Sequence, residues 1–408
     1  MTPLKQAEED VVSAQVLQQL SQTPYACSSL TQLPSRPANF VYRGVLAQPF
    51  TTARSIIIKY STDLVASNHD FPLDVTRSVI IDSSPRPDLD AKHTFSVKLS
   101  VFFEQKSMLT SLADFSSPTT TSTVIKAPHL YLFDREAHIQ ILEDFTDTAG
   151  FKSILFGPNA DSLLPQSSPA IIGRRLGSWL RAFHVWASAP EQAALRAQML
   201  QHDPMRRFKY LLTYDGFLSV LEDYPELLDG HKKTLETIRD VMAAEFEKPP
   251  TEEDENWGLI HGDFWSGNIL LPTTPWREPP LLGGTNKVFI IDWEFAQFGH
   301  RSYDLGQIVG DLYERKVFNN VDTAMSVMEG VISCYGELSD EMAFRTAIHI
   351  GVHLIGWHNR RPQKGPWMAT PEGIVAGLTV GRDFIIKGWK KDRKFFAGTA
   401  LASLFAAK

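Results

Sequence analysis

The chain has 408 residues, 43% of them hydrophobic, a formal net charge of −7 and an isoelectric point near 6.0. That length allows a large core and two or three domains at ~100–200 residues each, and the acidic balance argues against a basic nucleic-acid-binding surface. The two cysteines, Cys27 and Cys334, are far apart and lack metal-ligand spacing, so neither a disulfide framework nor a zinc site follows.

The acidic segment Met1–Asp10 has no apolar core and is not expected to be a signal peptide. No apolar run reaches the ~18–20 residues of a membrane span. A reduced, cytoplasmic protein without membrane partners is expected. Residues 4–20 read as a short amphipathic helix, 39–47 as a strand with partial alternation, and the β-branched stretch 54–60 as a buried strand. The Pro/Ser/Asp-rich segment 82–93 reads as a solvated insertion. Phe95, Leu99, Phe102, Phe103, Met108 and Leu112 follow at roughly helical spacing, which predicts a helix over 95–112. A Ser/Thr loop at 116–123 leads to two strands, 129–133 and 138–142, and then to the acidic Glu143-Asp144-Phe145. Thereafter the pattern turns helical, over 169–187, 191–201, 205–222 and 231–247. A charged linker, 249–255, precedes strands 257–261 and 287–292, with a Pro/Gly loop over 272–286 between them. Helices resume at 303–315, 322–336, 340–358 and 371–390. Strands first and helices later predict an α+β bilobal protein with a nucleotide cleft. The expected domains are a helical extension, 1–32, an N-lobe, 33–145, and a helical C-lobe, 146–408.

The richest stretch is Leu259-Ile-His-Gly-Asp263-Phe-Trp-Ser-Gly-Asn268, followed by Val288-Phe-Ile-Ile-Asp292-Trp-Glu294. An Asp, an Asn five positions on, and a second Asp behind an apolar run have the layout of a phosphoryl-transfer site. Asp263 follows a short apolar strand and can accept the proton of an attacking hydroxyl. Alone, it would read as a turn-capping Asp. Asn268 offers a carbonyl oxygen, which suits a hard cation such as Mg²⁺. An acid at the exit of a buried strand, Asp292, needs a partner that a metal would provide. Glu294, two positions on, points the same way if the strand continues, and is a second candidate ligand. His261 and Gly262 read as scaffold. Trp265 either packs at the substrate mouth or fills core.

Lys59 ends the Ile56-Ile57-Ile58 strand, where a cation can reach the α- and β-phosphates of ATP. It needs an acidic partner, and Glu104 in the predicted 95–112 helix is the best candidate. The bland alternatives are a strand-end surface Lys and a solvated helix Glu. The loop Pro34-Ser-Arg-Pro-Ala-Asn39 ahead of the first strand has no G-x-G-x-x-G. Ser35, Arg36 and Asn39 would bind phosphate by side chains instead of backbone. No Walker P-loop occurs anywhere in the chain.

These residues resemble the aminoglycoside phosphotransferase/choline kinase superfamily, a protein-kinase-like fold that phosphorylates small molecules. Within it, the Asp263–Leu271 and Ile291–Glu294 stretches are most similar to the methylthioribose kinase and fungal hydroxytryptamine kinase branch. The resemblance runs from about residue 33 to about 358. It implies a small antiparallel-sheet N-lobe and a larger helical C-lobe. It also implies Asp263 as catalytic base, Asn268, Asp292 and Glu294 as Mg²⁺ ligands, and Lys59 with Glu104 as the phosphate-anchoring pair. The segment Ile139–Phe145, with Glu143 and Phe145, resembles the hinge whose backbone reads adenine, and Asp304 matches a mainly structural position. The sequence departs from the family at Pro34–Ala38, where glycines are usual, and at the 82–93 insertion.

The expected activity is ATP- and Mg²⁺-dependent transfer to a hydroxyl of a small-molecule substrate. The acceptor should meet the helices after Asp304, where His349, His353, Trp357, His358, Arg360, Arg361 and Trp367 lie. Trp357 and Trp367 can stack on a ring or sit in core, and Arg360-Arg361 resembles the paired arginines of methylthioribose kinases or is a surface pair. Two rivals remain open. One is a pseudokinase serving as a nucleotide-binding scaffold, suggested by the glycine-poor loop. The other is nucleotidyl transfer to protein.

Overall fold

A computed structural model describes residues 3–33, 40–60, 64–65, 68–74, 78–81, 95–97, 101–115, 122–249, 255–280, 284–356 and 369–406. For residues 3–9, 64–104 and Pro204 it describes the backbone alone. The chain divides into two compact units, Met1–Ala113 with Pro128–Thr146, and Asp114–Ala127 with Asp147–Lys408.

The first unit is built on a five-stranded antiparallel sheet, in the order Cys27–Gln32, Phe40–Phe50, Ala53–Tyr60, Ile139–Glu143, Leu130–Asp134. Alternate residues of these strands point to opposite faces. Tyr42, Ile56, Ile58, Ile139 and Ile141 therefore gather on one face and are buried there with Val16 and Leu20 of the helix Pro3–Leu20. The described part of this segment thus contributes Val16, Leu20 and Tyr25 to this unit's core. On the other face the register sets Lys59 directly opposite Val41 on one side and Gln140 on the other. Four short strands, Leu64–Val65, Asn68–Asp74, Ser78–Ile81 and Phe95–Val97, make a second antiparallel sheet.

The last of these strands corrects the helix expected over 95–112. Phe95–Val97 is extended, and the helix runs only over Val101–Leu112. An aromatic–Ser–Val triplet fits a half-buried strand as well as one turn of helix, and pairing to Ser78–Ile81 decides between them. The segment 82–93 and the loop 34–39, with Asn39, lie outside the described residues.

The second unit holds a four-stranded sheet in the order Thr148–Gly150, Ile269–Pro272, Asn286–Ile290, Thr123–Lys126. Its last pair is parallel. Trp257–Ile260 pairs antiparallel with Gln297–His300. Residues 114–127 therefore belong with this unit, although they precede the boundary expected at residue 145. The helices Ser168–Ser188, Lys232–Glu247, Ser302–Asn319, Asp322–Tyr335 and Pro371–Trp389 follow the expected pattern, and Asp340–Gly356 does so up to the end of the described residues. The helix expected over 205–222 is Asp203–Tyr210, a π turn at Leu211–Asp215, and Phe217–Glu222.

The helix Ser168–Ser188 packs against Asp322–Tyr335 with backbones almost touching. A Cβ on Gly173 would sit 2.1 Å from the Val327 carbonyl oxygen, and one on Gly177 2.2 Å from that of Val331. A Cβ on Gly330 would lie 2.5 Å from the Ala170 carbonyl oxygen. Because the obstacle is backbone, no rotamer change relieves it. Gly173→Ala and Gly330→Ala should each lower the unfolding free energy by about 1–3 kcal/mol or more. Urea denaturation followed by circular dichroism would check this, and an unchanged midpoint would mean that the two helices part without cost.

Candidate functional site

The buried strand Trp257–Ile260 delivers the chain to a turn at His261-Gly262. Gly262 has φ +79°, and a Cβ there would lie 2.0 Å from the carbonyl oxygen of Phe295, so the turn requires glycine. Asp304, in the first turn of the helix Ser302–Asn319, fixes this turn from below. Its carboxylate accepts the N–H of His261 at 2.8 Å and of Gly262 at 2.9 Å. It also accepts from His184 Nε2 at 3.2 Å, while His184 Nδ1 lies 2.7 Å from the Tyr335 hydroxyl, which donates to it. Burial alone would raise the Asp304 pKa, but the hydrogen bonds from His184 and from the backbone N–H of His261 outweigh it and hold the carboxyl below its usual range.

His261 is a scaffold residue, as its sequence context implies. Its Nδ1 accepts the Asp263 N–H at 3.2 Å, so Nε2 carries the proton and donates to the Ile291 carbonyl at 3.1 Å. One neutral imidazole thereby ties the Asp263 loop to the Asp292 loop.

Gln307, Asn268 and Trp265 all donate to the Asp263 carboxylate. Oδ1 accepts from Gln307 Nε2 at 2.6 Å, and Oδ2 from Asn268 Nδ2 at 2.7 Å and Trp265 Nε1 at 3.1 Å. The Gln307 amide has only one possible orientation, because Lys209 Nζ, which can only donate, sits 2.7 Å from its Oε1. Trp265 is thus more than core filler: its ring also lies over Gly267 and carries Lys152 Nζ 4.9 Å from its centroid.

Asn268 and Asp292 come together through strand register. Ile269 stands opposite Ile290 in an antiparallel pair, and the Ile291 N–H donates to the Asn268 carbonyl at 2.9 Å. The two residues therefore flank the same end of that pair. Both hydrogen bonds of Asn268 Nδ2 go to Asp263, its carbonyl at 2.8 Å and its carboxylate. Asn268 Oδ1, by contrast, is buried and accepts no hydrogen bond. A buried carbonyl oxygen without a donor, on a backbone that strand register brings beside the Ile291–Asp292 segment, is of the ligand type that a hard divalent cation takes, and Asp292 and Glu294 are buried acids of the same type.

The placement of Glu294 differs from the sequence expectation. The strand ends at Ile290, Asp292 takes a left-handed conformation (φ 69°, ψ 58°), and Trp293–Phe295 form a 3₁₀ turn. Strand alternation therefore does not align Glu294 with Asp292. The turn is set by Trp293, whose Nε1 donates to the Ile290 carbonyl at 2.9 Å and whose ring meets His261 at 4.4 Å.

In the first unit, Lys59 is 8% exposed at the end of its strand, and Glu104 lies in the helix Val101–Leu112. Glu143 accepts the His129 N–H at 3.3 Å and Phe145 is buried. Between them, Asp144 is committed to the sheet, bound by Arg43 at 2.8 and 2.9 Å and by Ser55 at 2.7 Å. Trp357, His358, Arg360, Arg361 and Trp367 lie outside the described residues. His349 and His353 are buried core groups, bonded to the Tyr214 hydroxyl at 3.0 Å and to Glu314 at 3.2 Å.

Sequence reasoning missed Gln307, Asp311 and Lys209. Asp311 accepts both the N–H and the hydroxyl of Ser266, bolting the loop a second time. Asp304, Gln307, Asp311 and Glu314 follow one another at helical intervals, so a polar stripe on a buried helix was the available signal. Lys209 left none. The carboxylates of Asp311 and Glu314 and the imidazole of His353 lie near enough to share a cation, but Arg315 already bridges the two acids.

Residues 157–330, which span this site, match the model of the phosphotransferase enzyme family. The chain is 29% identical to phosphotransferase FrzJ of Cladobotryum sp over 400 residues, covering 98% of this chain and 97% of that protein. It is 21% identical to a 4-hydroxytryptamine kinase of Psilocybe cubensis, covering 81% of this chain and 80% of that one. A solved structure of the aminoglycoside phosphotransferase APH(2'')-Ib bound to ADP aligns with 12% identity and a TM-score of 0.44, covering 91% of this chain and 99% of that chain.

Burial holds six histidines below the ordinary value of 6.5: His184, His261, His300, His349, His353 and His202, the last pushed to about 4. Each binds a proton more weakly folded than unfolded. Below pH 6.5 the unfolded chain takes up more protons, and stability falls as pH falls. The thermal midpoint should drop between pH 7.5 and 5.5. A flat or rising midpoint over that window would contradict the neutral, buried state of these rings.

Proposed function

We propose that this chain, which is similar over residues 157–330 to the phosphotransferase enzyme family and over 400 residues to a fungal phosphotransferase, is an ATP- and Mg²⁺-dependent kinase that transfers the γ-phosphate to a hydroxyl of a small molecule. The observation that carries this reading is the pairing of an Asp263 carboxylate held by Gln307, Asn268 and Trp265 with the unsatisfied, buried Oδ1 of that same Asn268.

Asp263 orients the acceptor hydroxyl and takes its proton as the O–P bond forms. Its donors Gln307, Asn268 and Trp265 keep the carboxylate in place for that proton transfer. Asn268 Oδ1 and Asp292, with Glu294, would hold Mg²⁺. When bound, the ion supplies positive charge to the phosphate oxygens. Lys59, with Glu104, anchors the α- and β-phosphates, and the backbone of Glu143–Phe145 receives adenine. Asn39 stands in for the missing glycines of the phosphate loop. Arg360, Arg361 and Trp357 are candidates for acceptor contacts, with Trp265 beside the base. The similarity to a 4-hydroxytryptamine kinase makes hydroxyindole amines the first acceptor class to test. A scaffold would not need the donor geometry around Asp263, which disfavours the pseudokinase.

Mg²⁺-dependent ADP release from ATP, measured against hydroxyindole amines, methylthioribose, choline and homoserine, tests the proposal. One class should turn over, with mass spectrometry showing addition of a phosphate. Asp263→Asn should lower kcat by about 100-fold or more, as expected on losing a general base. An Asp263→Asn protein that keeps its turnover would rule out the base assignment. ATP binding without ADP release for any acceptor would favour the scaffold.

A further inference from the structure

Gln140 is fully buried in the first unit, and neither its Oε1 nor its Nε2 has a hydrogen-bond partner. Its strand, Ile139–Glu143, is paired on both sides, so the backbone makes no call on the side chain. Buried polar groups are nearly always bonded, because water's hydrogen bonds are lost on burial. A Met or Leu at this position would fold with less penalty. The amide therefore calls for a purpose beyond folding.

Its surroundings indicate which. Ile139 and Ile141 point into the apolar core with Ile56 and Ile58. Gln140 points the other way, onto the face where Lys59 is its direct cross-strand neighbour. Side chains so paired start from Cβ atoms about 4.5–5.5 Å apart, within reach of two long residues. Phe133 is the neighbour on the far side, and Lys106 Nζ lies 5.3 Å from the centre of its ring. The helix Val101–Leu112 thus reaches the same face.

We infer that Gln140 is a positioning residue for Lys59. When nucleotide phosphates are bound, its Oε1 accepts from Lys59 Nζ, and its Nε2 donates to the carboxylate that pairs with Lys59. An amide suits this task better than a second acid. It holds the ammonium by a hydrogen bond without cancelling the charge the phosphates require. The inference rests on the reading of Lys59 as the phosphate anchor.

The test is a double-mutant cycle on MgATP affinity, read by isothermal titration calorimetry with thermal midpoints alongside. Gln140→Met, which keeps volume and removes both polar atoms, should weaken MgATP binding about tenfold while leaving the midpoint equal or higher. Gln140→Leu should do the same, and serves if the Met variant folds poorly. In a Lys59→Met background, Gln140→Met should have no further effect, because the amide acts through the ammonium. A dissociation constant within twofold of the native value, or an equal loss in both backgrounds, would overturn the inference. If Lys59→Met binds MgATP as tightly as the native protein, the anchor reading fails first and takes this one with it. If Lys59→Met is weakened and Gln140→Met is not, only the Gln140 assignment falls.

Discussion

The Asp304 carboxylate is the fixed point from which the Asp263 loop is measured. A turn that places a catalytic side chain must expose backbone N–H groups, and buried N–H groups need acceptors. His261 and Gly262 contribute two such donors, and Asp304 satisfies both from the start of a long buried helix. A neutral acceptor would make the same contacts more weakly, since hydrogen bonds to an ionised group are roughly twice as strong. The charge is tolerable at full burial because His184 adds a third donor and is itself steadied by the Tyr335 hydroxyl. Position is thus inherited from the helix rather than from the loop.

The same helix repeats the device. One turn beyond Asp304, Gln307 reaches Asp263 itself, and a turn further Asp311 takes hold of Ser266. Three successive side chains on one stripe therefore grip the beginning, middle and end of a six-residue loop. Holding a carboxylate to within a fraction of an ångström matters in phosphoryl transfer, where little covalent chemistry is left to the protein and positioning dominates. The acids deeper in the stripe are bonded locally, both to Arg315 and Glu314 also to the His353 ring.

Legibility in the sequence followed the range of the interaction. Asp263 and Asn268 are neighbours in the chain, and Asp292 follows an apolar strand, so spacing alone brought them forward. Strand register then supplied the reason, through the pairing of Ile269 with Ile290. Glu294 was misplaced because alternation was extended past Ile290, whereas Trp293 turns the chain by bonding back to the Ile290 carbonyl. The strand Thr123–Lys126 was hidden because its partner, Asn286–Ile290, lies far along the chain. The extended triplet at 95–97 was hidden because three residues cannot distinguish a period of 2 from one of 3.6. Lys209 was invisible for a different reason. Its role exists only through Gln307, and nothing in its own helix, Asp203–Tyr210, marks it.

The contrast between Asp304 and Asp263 shows how one residue type is given two tasks. Asp304 is wholly enclosed, and its donors are a histidine ring and two backbone N–H groups of the turn itself, which cannot leave without unfolding it. Asp263 is only partly buried, and its donors are side chains: an indole, and amides of Asn268 and Gln307. Side-chain donors can yield by small rotations, whereas backbone donors cannot. Lys209 limits that freedom by fixing the Gln307 amide, so the rearrangement open to Asp263 is confined to the side shared by Trp265 and Asn268. That is also the side on which the unpaired Asn268 Oδ1 lies, which brings the proposed base and the candidate cation ligand under the control of one amide group.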